Sequence, residues 1–361
     1  MLPLNPESWN VQVFRSMDNG ATSEYRTVPF EMVSRGLVSR KGVTIEQSIQ
    51  DAYVNAIRRA KNFIYIENQF FLGSSFAWTQ ELSGVGALHI IPKEISLKIV
   101  SKIKANERFS VYVVIPMWPE GSAGNFFSGF TLDGQFRTME MMYDDIDGAI
   151  RETGIQANPR DYLSFFCLGN REVEQDSDFC SPNEPSPYTH YSKAQCNRRF
   201  MIYVHSKMMI VDDEYIIVGS ANINQRSMDG TRDTEIAMGA YQPYHIADRE
   251  REARGKVHDF RMSLWYEHIG ELKESFKYPQ SLGCMQQVNE IANRNWYLYA
   301  SENFDQDLPS HLLPYPIIFQ EGKFVRPRAT VFPDAEVPFI PMNSDVWKIE
   351  SSFSLLSYLT T

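Results

Sequence analysis

The segment 203–222 constrains the fold of this chain more than any other. Two apolar runs, 208–211 and 215–218, flank a polar triplet, which predicts two strands joined by a tight turn. Alternate side chains of an extended strand share a face, so His205 and Lys207 are expected to project together. An imidazole beside an ammonium is an unusual pair for an apolar core. It is well suited to binding a phosphate.

A turn of small residues follows the second run and allows backbone and short polar side chains to approach an anion closely. Together the segment spells H-x-K-x4-D and then G-S-x-N, carried by His205, Lys207, Asp212, Gly219, Ser220 and Asn222. This combined pattern resembles the signature of the phospholipase D superfamily. Three further segments, 64–75, 137–143 and 260–270, resemble the eukaryotic phospholipase D enzymes, and the plant alpha type most of all.

The resemblance implies a role for each residue of the pattern. In the family's mechanism, the histidine of one motif attacks phosphorus to form a phosphohistidine. The histidine of the other motif protonates the leaving alcohol and then activates water or an incoming alcohol. His205 matches the second role. Lys207 would hold a non-bridging phosphate oxygen, Asn222 would add a neutral donor, and Ser220 is a weaker candidate for the same contact.

Two carboxylates complete the expected site. Glu235, on the next predicted strand, matches the acidic residue that the family uses to orient the catalytic imidazole, so we expect it to bond the second ring nitrogen of His205. Asp212 is the aspartate of the motif. Its position in the turn predicts that it holds the hairpin together rather than contacting phosphate.

The enzymes that the chain resembles carry two such motifs after a calcium- and lipid-binding C2 domain, whereas this sequence contains one motif. It resembles the C-terminal catalytic half. The expected partners are therefore a phospholipid membrane surface and either an N-terminal catalytic half or a second copy of the chain. Calcium is expected from kinship alone, because no ligand pattern for it is visible in the sequence.

Three functions remain open at this point. The first is a phospholipase D that hydrolyses phosphatidylcholine-type lipids to phosphatidic acid and the head group, with transfer to alcohols. The second is a catalytically incomplete half that binds lipid or a partner subunit. The third is a dimeric phosphodiesterase acting on nucleic acid, which the net charge of −10 disfavours because nucleic-acid affinity comes mostly from Lys and Arg.

The absence of targeting and membrane-spanning patterns predicts a cytoplasmic protein that associates peripherally with membranes. The N-terminus shows no signal-peptide pattern, and no apolar run approaches the roughly 20 residues of a membrane-spanning helix. The four cysteines, at positions 167, 180, 196 and 284, lack C-x-x-C or zinc spacing and are expected to be reduced, although a pair between Cys180 and Cys196 stays conceivable.

The periodicity along the chain predicts an α/β fold, with an irregular C-terminal extension, and the resemblance implies a phospholipase D-type sheet flanked by helices. We expect an irregular segment at 1–42 apart from a short strand at 9–14, a catalytic half at 43–272 and a proline-rich C-terminal region at 273–361, with no functional interpretation for 350–361. Within the catalytic half, Asn68 and Gln69 end a predicted strand, where they either serve the site or cap the next turn.

Overall fold

The computed structural model describes residues 5–18, 34, 45–78, 86–120, 126–174, 185–248, 252–302, 305–320, 323–325 and 332–335. Within these ranges the chain forms one central mixed sheet with helices on both faces. The predicted α/β class is confirmed. The segment 350–361 and Cys180 lie outside the described residues.

Ten strands build the central sheet, in the order β10-β5-β4-β3-β7-β8-β9-β1-β2 with β6 beside β5. The strands β3, β4 and β5 run parallel, and β7, β8, β9, β1 and β2 continue the sheet antiparallel from β3. A separate hairpin pairs β11 with β12. The strands are β1 Asn10–Asp18, β2 Ile45–Gln47, β3 Phe63–Asn68, β4 Ser110–Val114, β5 Leu163–Arg171, β6 Arg199–Ile202, β7 Lys207–Val211, β8 Tyr215–Gly219, β9 Glu235–Tyr241, β10 Leu312–Pro314, β11 Ile318–Gln320 and β12 Lys323–Val325.

Helices cover the two faces because successive strand residues point to opposite sides. The helices α1, α2 and α3 pack on the face that carries Ile64 and Ile66, and α6 and α7 pack on the face that carries Phe63 and Tyr65. The helices are α1 Ser48–Arg59, α2 Ile91–Lys104, α3 Phe126–Thr153, α4 His190–Cys196, α5 Gln225–Met228, α6 Lys256–Ile269 and α7 Leu282–Ala300. Both faces of the central strands are thus buried, as their continuous apolar runs require.

The predicted hairpin is confirmed as β7 and β8, joined by the three residues 212–214. Both aspartates have positive φ, 54° and 57°, and Glu214 N donates to Val211 O at 3.0 Å. Positive φ is uncommon outside glycine, and Asp tolerates it better than bulkier residues, so the two aspartates suit this turn.

Two parts of the chain are more regular than the sequence predicts. The segment 169–196 is dense in Asn, Asp, Glu, Ser and Pro, which predicts a long surface loop. Instead, the helix α4 lies within this segment and the strand β6 follows it directly. The helix α7 forms in the C-terminal region expected to be irregular. It can form because it contains no proline: it lies between Pro279 and Pro309. Its buried side chains follow helical spacing, among them Met285, Val288 and Ile291.

One strand of the N-terminal segment and one strand of the C-terminal region join the same sheet as the catalytic half. The strand β1 pairs with β9, and β10 pairs with β5. Cys167, Cys196 and Cys284 are free thiols. Among the described helices, none combines the length and the apolar character needed to cross a bilayer.

Candidate active site

The motif residues other than Asp212 converge at one end of the sheet because neighbouring strands alternate in direction. The strand β7 begins there with Lys207, and β3 ends there, since Asn68 is paired with Lys207. The strand β8 ends there at Gly219, beside Ala237 near the start of β9. Residues far apart in the sequence are thereby brought to a common edge.

His205 and Lys207 lie beside each other as predicted from strand alternation. The Lys207 ammonium donates to the His205 carbonyl at 2.7 Å and to Gln69 Oε1 at 2.8 Å. His205 is exposed and Lys207 is half-buried. Burial lowers the pKa of Lys207, and the nearby carboxylate of Glu235 opposes that shift. An exposed imidazole thus lies next to a partly desolvated cation, the combination needed for acid–base chemistry on an anion.

The turn after β8 comes very close to β9. A Cβ on Gly219 would lie 2.3 Å from Ile236 O and 2.5 Å from Ala237 Cα, so only glycine fits there. Ser220 is exposed, and its backbone N donates to Ile236 O at 2.9 Å. Asn222 is half-buried, and its Oδ1 is a buried acceptor without a hydrogen-bond partner. The structure therefore places both predicted phosphate ligands at the same edge as Lys207.

Glu235 contacts two hydroxyls rather than the imidazole. Its Oε2 accepts from Ser220 Oγ at 2.5 Å, and its Oε1 accepts from Ser227 Oγ at 2.6 Å. In the part of the chain that the structure describes, no hydrogen bond joins Glu235 to the His205 ring. The expected orientation of the His205 imidazole by Glu235 stays a prediction. The charge of this carboxylate raises the pKa of Lys207 and so favours its protonated form.

Asp212 lies at the other end of β7. Its carboxylate accepts hydrogen bonds from three consecutive backbone N–H groups, those of Lys61, Asn62 and Phe63, at 2.6, 2.7 and 2.9 Å. Burial raises the pKa of Asp212, although these bonds act in the opposite direction. The carboxylate thus attaches the hairpin to the loop before β3.

Sequence reasoning left two neighbours of the site undecided and missed a third. Asn68 is fully buried, and its Oδ1 accepts from the backbone N of Phe70 at 3.2 Å and of Ile223 at 3.0 Å, while its Nδ2 has no partner. Gln69 contacts Lys207 and also donates from Nε2 to Tyr203 OH at 3.0 Å. Tyr203 is the neighbour that was missed. The only sequence feature that could have pointed to it is its position two residues before the motif histidine.

Calcium has no evident site within the described ranges. No group of three or more His, Cys, Asp or Glu side chains there is arranged to hold a metal ion. The described residues therefore offer no such side-chain cluster for the cation.

The sequence of the chain matches a family model and known proteins. A family model described as phospholipase D matches residues 3–340. The chain is 59% identical over 350 residues to phospholipase D alpha 1 of Zea mays, an overlap of 96% of this chain and 43% of that protein. It is 58% identical over 343 residues to phospholipase D alpha 2 of Arabidopsis thaliana, covering 93% of this chain and 42% of the relative.

The chain spans less than half the length of these relatives. Among solved structures, it resembles NUC from Salmonella typhimurium, described as a phospholipase D family member, with 14% identity, a TM-score of 0.28 and coverage of 65% of this chain and 84% of that one. That structural similarity is too low to support a functional assignment. The match of the family model along most of the sequence and the identity with plant alpha-type proteins show that the chain belongs to the phospholipase D family.

Proposed function

We propose that this chain is the C-terminal catalytic half of a phospholipase D that cleaves phosphatidylcholine-type lipids to phosphatidic acid and the free head group. The observation that carries the proposal is the placement of an exposed His205 beside Lys207 at one end of the sheet, in a chain of this family. Lys207 binds a non-bridging oxygen of the substrate phosphate. Asn222 and Ser220 add neutral contacts to the same group.

In the proposed reaction, a histidine of a second catalytic half attacks phosphorus. The bond between phosphorus and the head-group oxygen breaks, and His205 donates its proton to that oxygen. His205 then takes a proton from water, whose oxygen attacks phosphorus and breaks the bond to the first histidine. Ethanol in place of water would give phosphatidylethanol by the same step.

An exposed apolar patch supports docking of a second half near the site. Val13, Val218 and Met238 are directly paired neighbours on β1, β8 and β9, and their exposed fractions are 59%, 37% and 38%. Ile236, 59% exposed, continues the patch towards Ser220, whose Oγ accepts from the Ile236 backbone N at 3.1 Å. Apolar side chains exposed together in this way are typical of an interaction surface.

The other proposed partner is a phospholipid surface, which the protein would contact peripherally from the cytoplasm. Nucleic acid is not expected, because the net charge is −10. Calcium is proposed from kinship with the plant alpha-type relatives alone.

The experiment measures phosphatidylcholine turnover with and without ethanol. The purified chain is assayed over a range of concentrations, alone and mixed with the part of the Zea mays relative that it does not cover. Phosphatidylethanol formed only in the mixture, and abolished by His205→Ala in this chain, would support the proposal. Met238→Lys should weaken the reconstituted activity by disturbing the apolar patch.

Other outcomes point to the remaining functions. A rate that rises faster than linearly with the concentration of the chain alone would indicate that two copies pair around one site. No product in either arrangement would overturn the proposed activity and favour a half that binds without turnover.

A further inference from the structure

The side-chain amide of Gln69 joins Lys207 to Tyr203. Gln69 lies just after β3 and is 9% exposed. Its Oε1 accepts from Lys207 Nζ at 2.8 Å, and its Nε2 donates to Tyr203 OH at 3.0 Å. An ammonium can only donate, so the amide oxygen must face Lys207 and the amide nitrogen must face Tyr203. One side chain thus fixes the positions of two others.

The Tyr203 hydroxyl oxygen accepts a second hydrogen bond, from the backbone N of Glu120 at 3.1 Å. A phenol oxygen accepts at most two hydrogen bonds and has one hydrogen to donate. With both acceptor positions used, that hydrogen has no acceptor among the residues that the structure describes. Burial raises the pKa of Tyr203, so the hydroxyl keeps its proton at neutral pH.

Tyr203 and Lys207 present their remaining hydrogens beside His205. The rings of Tyr203 and His205 lie 6.3 Å apart at 32°. Among the described residues, Lys207 donates two of its three ammonium hydrogens, to Gln69 and to the His205 carbonyl, which leaves one for a ligand. Two donors attached to the same amide are therefore available next to the exposed imidazole.

We propose that the Tyr203 hydroxyl donates a hydrogen bond to a phosphoryl oxygen of the bound phosphate ester, and that Gln69 is a positioning residue for both Tyr203 and Lys207. The proposal rests on the proposed function, which makes this edge of the sheet the phosphate site. It adds a substrate-contacting residue that the H-x-K-x4-D pattern does not include. The ligand class is a phosphate ester, whether as a lipid head group or in soluble form.

The test is calorimetric titration of the full chain with two probes, dioctanoyl phosphatidic acid below its micellar concentration and inorganic phosphate. Tyr203→Phe removes only the hydroxyl, and one neutral hydrogen bond predicts an affinity roughly 3- to 10-fold weaker for both probes. Tyr215→Phe is the matched control, because Tyr215 lies at the far end of the hairpin. Its affinities should equal those of the wild type.

Gln69 is tested by a double-mutant cycle. Gln69→Leu should weaken binding more than Tyr203→Phe does, since both donors lose their support. If Gln69 acts by positioning Tyr203, adding Tyr203→Phe to Gln69→Leu should cost little more, whereas a merely structural role predicts that the two losses add. Urea unfolding of each variant verifies that it is folded.

Several results would overturn the inference. Wild-type affinity of Tyr203→Phe, with binding lost in Lys207→Met, would remove Tyr203 from the site and leave the proposed function intact. A loss confined to the lipid probe would mean that Tyr203 contacts the glycerol or acyl part instead of the phosphoryl group. Unchanged binding in Lys207→Met, or no binding of either probe by the wild type, would overturn the phosphate site here and this inference with it.

Discussion

The carboxylate of Asp213 and the guanidinium of Arg261 form a bidentate ion pair, with Oδ1 to Nε at 2.7 Å and Oδ2 to Nη2 at 2.8 Å. Their side chains are 4% and 0% exposed. Arg261 Nη2 also donates to Phe276 O at 3.0 Å, and its Cζ lies 4.7 Å from the centre of the Trp265 ring. The pair ties the turn of the motif hairpin to α6 on the second face of the sheet.

Replacing Arg261 with Met should destabilise the fold strongly. The change removes the cation and leaves the Asp213 carboxylate buried without a counter-charge, which typically costs about 3–5 kcal/mol of unfolding free energy. Urea unfolding followed by circular dichroism measures the loss. Arg151→Met is the control, because Arg151 pairs with Asp147 on the surface and is 63% exposed. It should change the unfolding free energy little. Equal losses in the two variants would contradict the prediction.

The hairpin illustrates how far the sequence alone leads. Alternating apolar runs around a polar triplet are enough to predict β7 and β8 and to place His205 next to Lys207. The pattern does not reveal that Asp212 and Asp213 are buried, because the groups that bury them come from the loop before β3 and from α6. Whether a turn is buried depends on elements that are far away in the sequence, so it cannot be predicted from the composition of the turn itself.

The same limit applies to the site. Gln69 and Tyr203 are separated by 134 residues, and only the pairing of β3 with β7 brings them together. Asn68 and Gln69 follow a predicted strand, which is why they could be suspected at all. The many prolines from Pro309 onward made the whole C-terminal region look irregular, so α7 was not predicted from the sequence. The buried residues of α7 do follow helical spacing.

Replacing Asp212 with Ala should reduce stability while sparing the phosphate site. Three backbone N–H groups lose their acceptor, and the buried one of Phe63 is left without a partner, which predicts a loss on the order of 1–3 kcal/mol in unfolding free energy. Lys207 is at the other end of β7, a strand that spans about 13 Å at roughly 3.3 Å per residue. Urea unfolding and phosphate titration separate the two effects. A folded variant of full stability that no longer binds phosphate would refute the structural role.

His89 should make the stability of the protein depend on pH. It is 3% exposed, its Nε2 lies 2.6 Å from Leu72 O, and burial lowers its pKa to about 4. The unfolded chain has an ordinary histidine pKa of about 6.5. The stability contributed by neutral His89 is therefore fully present above about pH 6.5 and is lost as the pH falls towards 4, by roughly 3 kcal/mol.

His89→Gln removes this titration. Urea unfolding at several pH values between 7 and 4 should show the wild type losing more stability than the variant over that window. The difference between the two curves isolates His89 from carboxylates that titrate in both proteins. Parallel curves would mean that the imidazole is not buried in its neutral form.

Glu67 should stabilise the chain at Ser206, just before β7 begins, through a hydrogen bond on the face of the sheet that packs against α6. It is 3% exposed, and its Oε1 lies 2.8 Å from His268 Nε2 and accepts from Tyr65 OH at 2.5 Å. Burial alone would raise the pKa of Glu67, but hydrogen bonds from His268, Tyr65 and Ser206 outweigh it and hold the pKa below its ordinary value. The carboxylate is thus ionised at neutral pH and favours the folded state.

Glu67→Gln keeps the shape of the side chain and removes the charge. At pH 7 we expect a loss on the order of 1–3 kcal/mol in unfolding free energy, because charged acceptors form the stronger hydrogen bonds. A depressed pKa contributes stability above the unfolded value, which is lost as the pH falls through the folded one. The gap between wild type and variant should therefore close below about pH 4. Glu290→Gln, an exposed change on α7, should show no such gap at any pH. A gap for Glu67→Gln that stays constant down to pH 3 would mean that shape, rather than the carboxylate's charge, accounts for the loss.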